Sequence, residues 1–142
     1  MQLTLKWQAP MTFTGTTPTG AIITLDSHPD SGGSGKGPTP VEALVAAAAA
    51  CSGMDVVSVL SKKRQPVEGY EVTATEERGP AGEYPRPVLR LKVRHRIWGE
   101  GLDPVAVARA VELSDEKYCT VLATLRHPVE VESEWEVAAP TV

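Results

Sequence analysis

"TPVEALVAAAAACSGMD", residues 39–55, sets one thiol into a run of alanines behind a helix-start signal. Thr39 suits the N-cap, Pro40 suits N1, where its missing N–H costs nothing, and Glu42 at N3 completes a Thr-x-x-Glu capping box. The pattern predicts a helix from Pro40 to about Lys63, where the Lys-Lys-Arg run suits the negative end of the helix dipole. Between its ends the segment is apolar on nearly every face. Such a helix belongs at the centre of a fold, enclosed by a sheet and by other helices or a second subunit. From Ala43 to Leu60 it approaches membrane-spanning length, yet alanine hardly favours lipid and Asp55 interrupts it, so a core helix and no membrane are expected. Cys51 in this setting reads either as small buried filler or as a reactive thiol. Composition alone favours filler, because free Cys is among the most buried residue types.

Outward from the helix the chain alternates. "QLTLKW", "MTFTG" and "GAIITLD" predict three short strands in a meander over the first quarter. "RLKVRHRIW" puts Arg90, Lys92, Arg94 and Arg96 on one face and Leu91, Val93, His95 and Ile97 on the other. "YEVTATEE" and "VEVESEWEV" show acidic rows that would flank this basic row as a cross-strand ladder on the wet face of an antiparallel sheet. The basic row therefore reads as a neutralised solvated face, with His95 inward or at an edge and His127 in a turn. Asp103 and Pro104 open a second helical segment reaching Arg126, and Ser114 could cap a fresh start within it.

With 142 residues, 42% of them hydrophobic and 23% charged, the chain reads as one domain, 1–142, able to bury a core. A net charge of -4 argues against nucleic acid as a partner. No basic stretch followed by an apolar run opens the chain, so the reducing cytoplasm is the expected compartment. "GSGKG" in the loop before the helix lacks the Ser or Thr after Lys36 and the upstream Gly that a phosphate loop needs. The two cysteines are 68 positions apart and the three histidines are scattered, which is no zinc signature. No metal and no cofactor are expected from such spacing.

The Pro-initiated central helix with its Cys, "GPTPVEALVAAAAACSGMDV", followed by a second Cys inside "ARAVELSDEKYCTVLATL", resembles the OsmC/Ohr superfamily over nearly the whole chain. The resemblance implies an α+β OsmC-like fold, an antiparallel sheet packed on long central helices, in an intertwined homodimer. It also implies a stress-linked, thiol-dependent reductase of organic hydroperoxides: Cys51 attacks the peroxide, and Cys119 resolves the sulfenic acid as a disulfide that a thiol reductant reopens. A nearby second thiol makes chemical sense, because it traps the sulfenic acid before further oxidation.

The chain departs from that family's peroxidases in its activating groups. They use an N-terminal Arg held by a Glu immediately after the helix-initiating Pro; here no Arg precedes Arg64 and Val41 follows Pro40. Glu42, nine positions before Cys51, turns about 900° away from it and so faces the opposite side, as a cap. Asp55, at i+4, shares the thiol's face, where a carboxylate opposes thiolate formation unless it anchors a cation. Lys36 or a residue of the other subunit would be that cation. The missing groups raise an alternative: a non-peroxidase dimer that binds a small hydrophobic ligand, with the thiols as lining.

Overall fold

The computed structural model describes residues 1–127 and 129–139. Three short strands, β1 (Lys6–Gln8), β2 (Thr12–Thr16) and β3 (Ile22–Leu25), form an antiparallel meander. β1 begins later than the alternation of Leu3, Leu5 and Trp7 suggests. The glycine-rich loop that follows is folded around Asp26. The Lys36 and Ser34 N–H groups donate to Asp26 Oδ2 at 3.1 and 3.2 Å, and the Ser27 N–H donates to Oδ1 at 2.8 Å. These bonds, the one from Lys36 above all, hold the buried carboxyl below its ordinary range. The N–H groups that a phosphate would need are spent on this carboxylate.

Helix α1 (Pro40–Lys62) starts as the sequence specifies: the Glu42 N–H donates to Thr39 Oγ1 at 3.3 Å, and the Thr39 N–H donates to Glu42 Oε2 at 2.7 Å. It ends in a Schellman arrangement, with Gln65 N–H donating to the Leu60 carbonyl and Arg64 N–H to that of Ser61. Two long strands, β4 (Gly69–Arg78) and β5 (Val88–Trp98), then pair antiparallel with Glu71 opposite Arg96 and Glu77 opposite Arg90. Ion pairs of 3.3 and 3.6 Å join these residues on the wet face. Being exposed, each contributes about 0.2–1 kcal/mol at most, so they set register more than stability.

Helix α2 (Pro104–Leu113) carries the expected Asp103 N-cap. A π turn (Ser114–Tyr118) separates it from α3 (Thr120–Arg126), so the second helical segment is indeed two helices. The restart is capped by Cys119, not by Ser114. Ser114 is fully buried and its hydroxyl is engaged elsewhere, whereas Cys119 has extended backbone and its sulfur accepts the Leu122 N–H at 3.4 Å.

α1 buries a stripe at fourfold spacing, Ala48, Ser52, Val56 and Leu60, which is one helical face. Val56, Val59 and Leu60 pack on Ala106 and Ala110 of α2, with Tyr70 and Ile97 from the sheet. Toward the other end, Ala48 packs with Cys119 and Leu122, joined by Cys51, Leu91 and Val93. Gly53 lets the sheet come close: a Cβ there would lie 3.1 Å from Val72 Cγ2. The opposite side of α1 is uncovered within the chain, with Met54 71% exposed. The helix long enough and apolar enough to span a bilayer is thus a core helix on one side only.

The last expected strand is corrected. Residues 129–139 form no strand and lie exposed, and the acidic row of "VEVESEWEV" flanks no strand among the described residues. A strand needs a neighbour for its backbone N–H and C=O groups, and one copy of this chain offers it none.

Candidate active site

The site lies where α1 passes the restart of the second helical segment. Cys51 and Asp55, one turn apart on α1, share a face. The π turn supplies the third member. Its wide turn, closed by the Cys119 N–H donating to the Ser114 carbonyl at 2.9 Å, brings Cys119 back toward α1 before α3 begins. The two sulfurs and one Asp55 carboxylate oxygen all lie within 4.8 Å of one another. Both thiols are free. The meeting of two sulfurs remote in the chain is thus a property of the fold.

The two thiols differ in surroundings. Cys119 is only 3% exposed, whereas Cys51 is half-buried. Burial pushes the Cys119 thiol up; the Leu122 N–H works against that shift, and Cys51 and Asp55 add to it. Next to the pair, α1, β5 and α3 form a half-open pocket of about 200 Å³ lined by Leu44, Val45, Leu91, Leu122 and Leu125 together with Arg90 and Arg126. Leu91 and Leu122 belong both to this cavity and to the packing around the thiols.

A polar network, missed in the sequence, leads away from Asp55. The Ser114 hydroxyl reaches Asp55 Oδ2 at 3.2 Å and the Ser52 carbonyl at 3.3 Å; with one proton to give, it favours the charged acceptor. Ser52 Oγ lies 3.0 Å from Ser114 Oγ and 3.5 Å from His95 Nε2, and Tyr70 Oη lies 2.6 Å from His95 Nδ1. Burial pushes the Tyr70 hydroxyl up to about 12, so it keeps its proton and donates to Nδ1. Burial also pulls His95 down, against the opposing pull of Asp115. A neutral His95 that accepts at Nδ1 carries its proton at Nε2, so the bonds run in one direction from Tyr70 to the carboxylate beside the thiols. Of its members the sequence singled out only Asp55 for the site, by its i,i+4 spacing from Cys51.

Of the two expected sources of a cation at Asp55, Lys36 and a residue of the other subunit, Lys36 forms no ion pair with it. Among the described residues no ion pair reaches it. The backbone N–H of Lys36 serves Asp26, and Arg126 pairs with Asp115. Lys62 and Lys63 instead line an opening of about 380 Å³ that Asp55 and Tyr118 also border.

The profile of the OsmC-like protein family matches residues 33–134, which include both cysteines, Asp55, Ser114 and His95. This chain is an OsmC-like protein. It is 41% identical over 139 residues to protein YhfA of Escherichia coli K12, covering 98% of this chain and 99% of that one. Among solved structures, a hypothetical protein from Aquifex aeolicus matches at 30% identity with a TM-score of 0.75, over 88% of this chain and 86% of that one. An organic hydroperoxide resistance protein from Legionella pneumophila matches at 19% identity and a TM-score of 0.59, over 89% and 90% of the two chains. At that identity the likeness shows the fold alone. The OsmC-like protein thus has the α+β fold expected from its central helix and paired thiols.

Proposed function

We propose that this OsmC-like protein is a thiol-dependent reductase of organic hydroperoxides, working as a homodimer, with Cys51 as attacking thiol and Cys119 as resolving thiol. The observation that carries the reading is the approach of two free sulfurs of unequal burial beside a leucine-lined pocket. The more accessible sulfur meets the substrate and the enclosed one waits. Cys51, as its thiolate, attacks the terminal peroxide oxygen; the O–O bond breaks, leaving Cys51 sulfenic acid and an alkoxide that takes up the proton the thiol gave up and leaves as the alcohol. The Cys119 sulfur then attacks Cys51, forming the disulfide and releasing water. A dithiol reductant returns both thiols and is itself oxidised to a disulfide.

The leucine-lined cavity next to the thiols suits the hydrocarbon part of such a substrate. Membership of a family with hydroperoxide-resistance proteins among its structural neighbours supports the same chemistry. The second copy would cover the bare side of α1 and give residues 129–139 a strand partner.

One equivalent of an alkyl hydroperoxide added to the reduced protein is expected to yield a Cys51–Cys119 disulfide in peptide mass spectra. Cys51→Ser is expected to lose turnover entirely. Cys119→Ser is expected to stop at a trappable sulfenic acid on Cys51. Thiols that stay free after this treatment would remove the peroxidase reading and favour the second one, in which the same cavity binds a small hydrophobic ligand and Cys51→Ser leaves that binding intact.

A further inference from the structure

We infer that Cys51, Asp55 and Cys119 form a binding site for a thiophilic divalent cation of the zinc class, with the fourth position open to water. The donor set is two sulfurs and one carboxylate oxygen, within 4.8 Å of one another. Sulfur donors select zinc-like ions over magnesium or calcium, which take oxygen. Three protein ligands and one open position make the arrangement of reactive zinc sites, as opposed to the closed four-ligand structural ones.

The absence of a C-x-x-C spacing does not weigh against this site, because its ligands are spaced by a helix and a fold. Cys51 and Asp55 are an i,i+4 pair on α1, and Cys119 arrives 64 positions later through the π turn. A tetrahedral ion with bonds of about 2.3 Å to sulfur and about 2.0–2.2 Å to oxygen needs donors roughly 3.4–3.8 Å apart, so closing the site takes movements of about 1 Å.

The carboxylate is also oriented as a metal ligand would be. The Ser114 hydroxyl donates to Asp55 Oδ2 and is in turn held by Ser52, so the carboxylate is hydrogen-bonded as metal-ligating carboxylates are. No ion pair among the described residues competes for the carboxylate. Binding displaces the two thiol protons to solvent and leaves two metal–sulfur bonds, with no change of oxidation state. It competes with peroxide attack, since both use the same sulfurs, but it does not depend on that reaction.

Cobalt(II) in place of zinc makes the site visible. Titration of the reduced full-length protein without oxygen is expected to give a sulfur-to-cobalt charge-transfer band that saturates at one equivalent and is bleached by zinc, with about two protons released per ion. Cys51→Ser is expected to abolish the band. Asp55→Asn is expected to keep a thiolate band while weakening affinity at least about 10-fold. No band at one equivalent, a full band in Cys51→Ser, or unchanged affinity in Asp55→Asn would each overturn the site. Inertness of the metal-free protein toward hydroperoxide would end the peroxidase reading and leave this result standing.

Discussion

His95 stands next to Tyr70 in the polar chain that leads to the carboxylate beside the thiols, and its titration reports how closed that chain is. It faces Tyr70 from β4, Ser52 from α1 and, across a small cavity, Asp115 and Arg126. Burial lowers it from an ordinary value of 6.5, while Asp115 pulls the other way. A histidine lowered in the folded state takes its proton first in the unfolded chain. Its contribution is therefore complete above pH 6.5, declines as pH falls through 6.5 toward the folded value, and changes no further below that. Melting temperatures taken between about pH 7.5 and about pH 5.5 are expected to fall for the wild type and to fall less for His95→Gln. Parallel slopes for the two proteins would show that burial at His95 is not felt as stability. At this scale the sequence placed Cys51, Cys119 and Asp55 on sound grounds: a helix repeat for the i,i+4 pair, and a family resemblance for the distant thiol. Ser52, Ser114 and Tyr70 stayed silent because a hydroxyl has no spacing signature; only the folded chain decides whether it meets solvent or a buried carboxylate.

Among the elements, α1 illustrates both how local rules write a helix and where they leave strain. Its N-terminus is fully specified by Thr39, Pro40 and Glu42. Its C-terminus uses the Schellman geometry, which asks for a left-handed residue, and that residue is Arg64 at φ 54°. A left-handed conformation costs a residue with a Cβ about 1–2 kcal/mol, part of which glycine gives back through the entropy of its unfolded state. Arg64→Gly is expected to stabilise the protein by about 0.5–1 kcal/mol, a rise of about 2–4 °C in melting temperature by calorimetry. No gain would mean that the Arg64 side chain contributes as much as its backbone costs. Most element boundaries were legible for the same reason as this helix start: caps and alternation are local. The exceptions are instructive. Ser114 looks like a cap because serine caps helices, but a π turn five residues long hands that place to Cys119, and nothing in "SDEKYC" encodes the extra residue per turn. The strand expected in "VEVESEWEV" has the right alternation and no strand neighbour among the described residues.

For the whole molecule, the surface decides what one copy leaves unfinished. A compact monomer of 15.1 kDa exposes about 7,100 Å² by the usual scaling of area with mass, whereas this chain exposes 10868 Å². The excess, roughly 3,800 Å² on one chain, is larger than the one-sided share of about 1,000–2,500 Å² that obligate interfaces bury, and part of it belongs to the extended segment itself. Part of it lies where the fold has no second layer: Met54 and Val57 on the bare side of α1, and Trp135 and Val137 in the extended segment, the last two 87% and 89% exposed. Ala50, Gly53, Met54 and Val57 border one open apolar groove along that helix, with small residues that allow close helix approach. A second copy, seated helix on helix and taking up the alternating segment as a strand, would remove all of these features together. Light scattering at micromolar concentration is therefore expected to give twice the chain mass. Met54→Glu buries a charge in the centre of that contact, so it is expected to shift the protein toward chain mass and to make its melting temperature lower and strongly concentration-dependent. A wild type that runs at chain mass, and melts at one temperature whatever its concentration, would mean that the exposed helix face is covered by something other than a second copy.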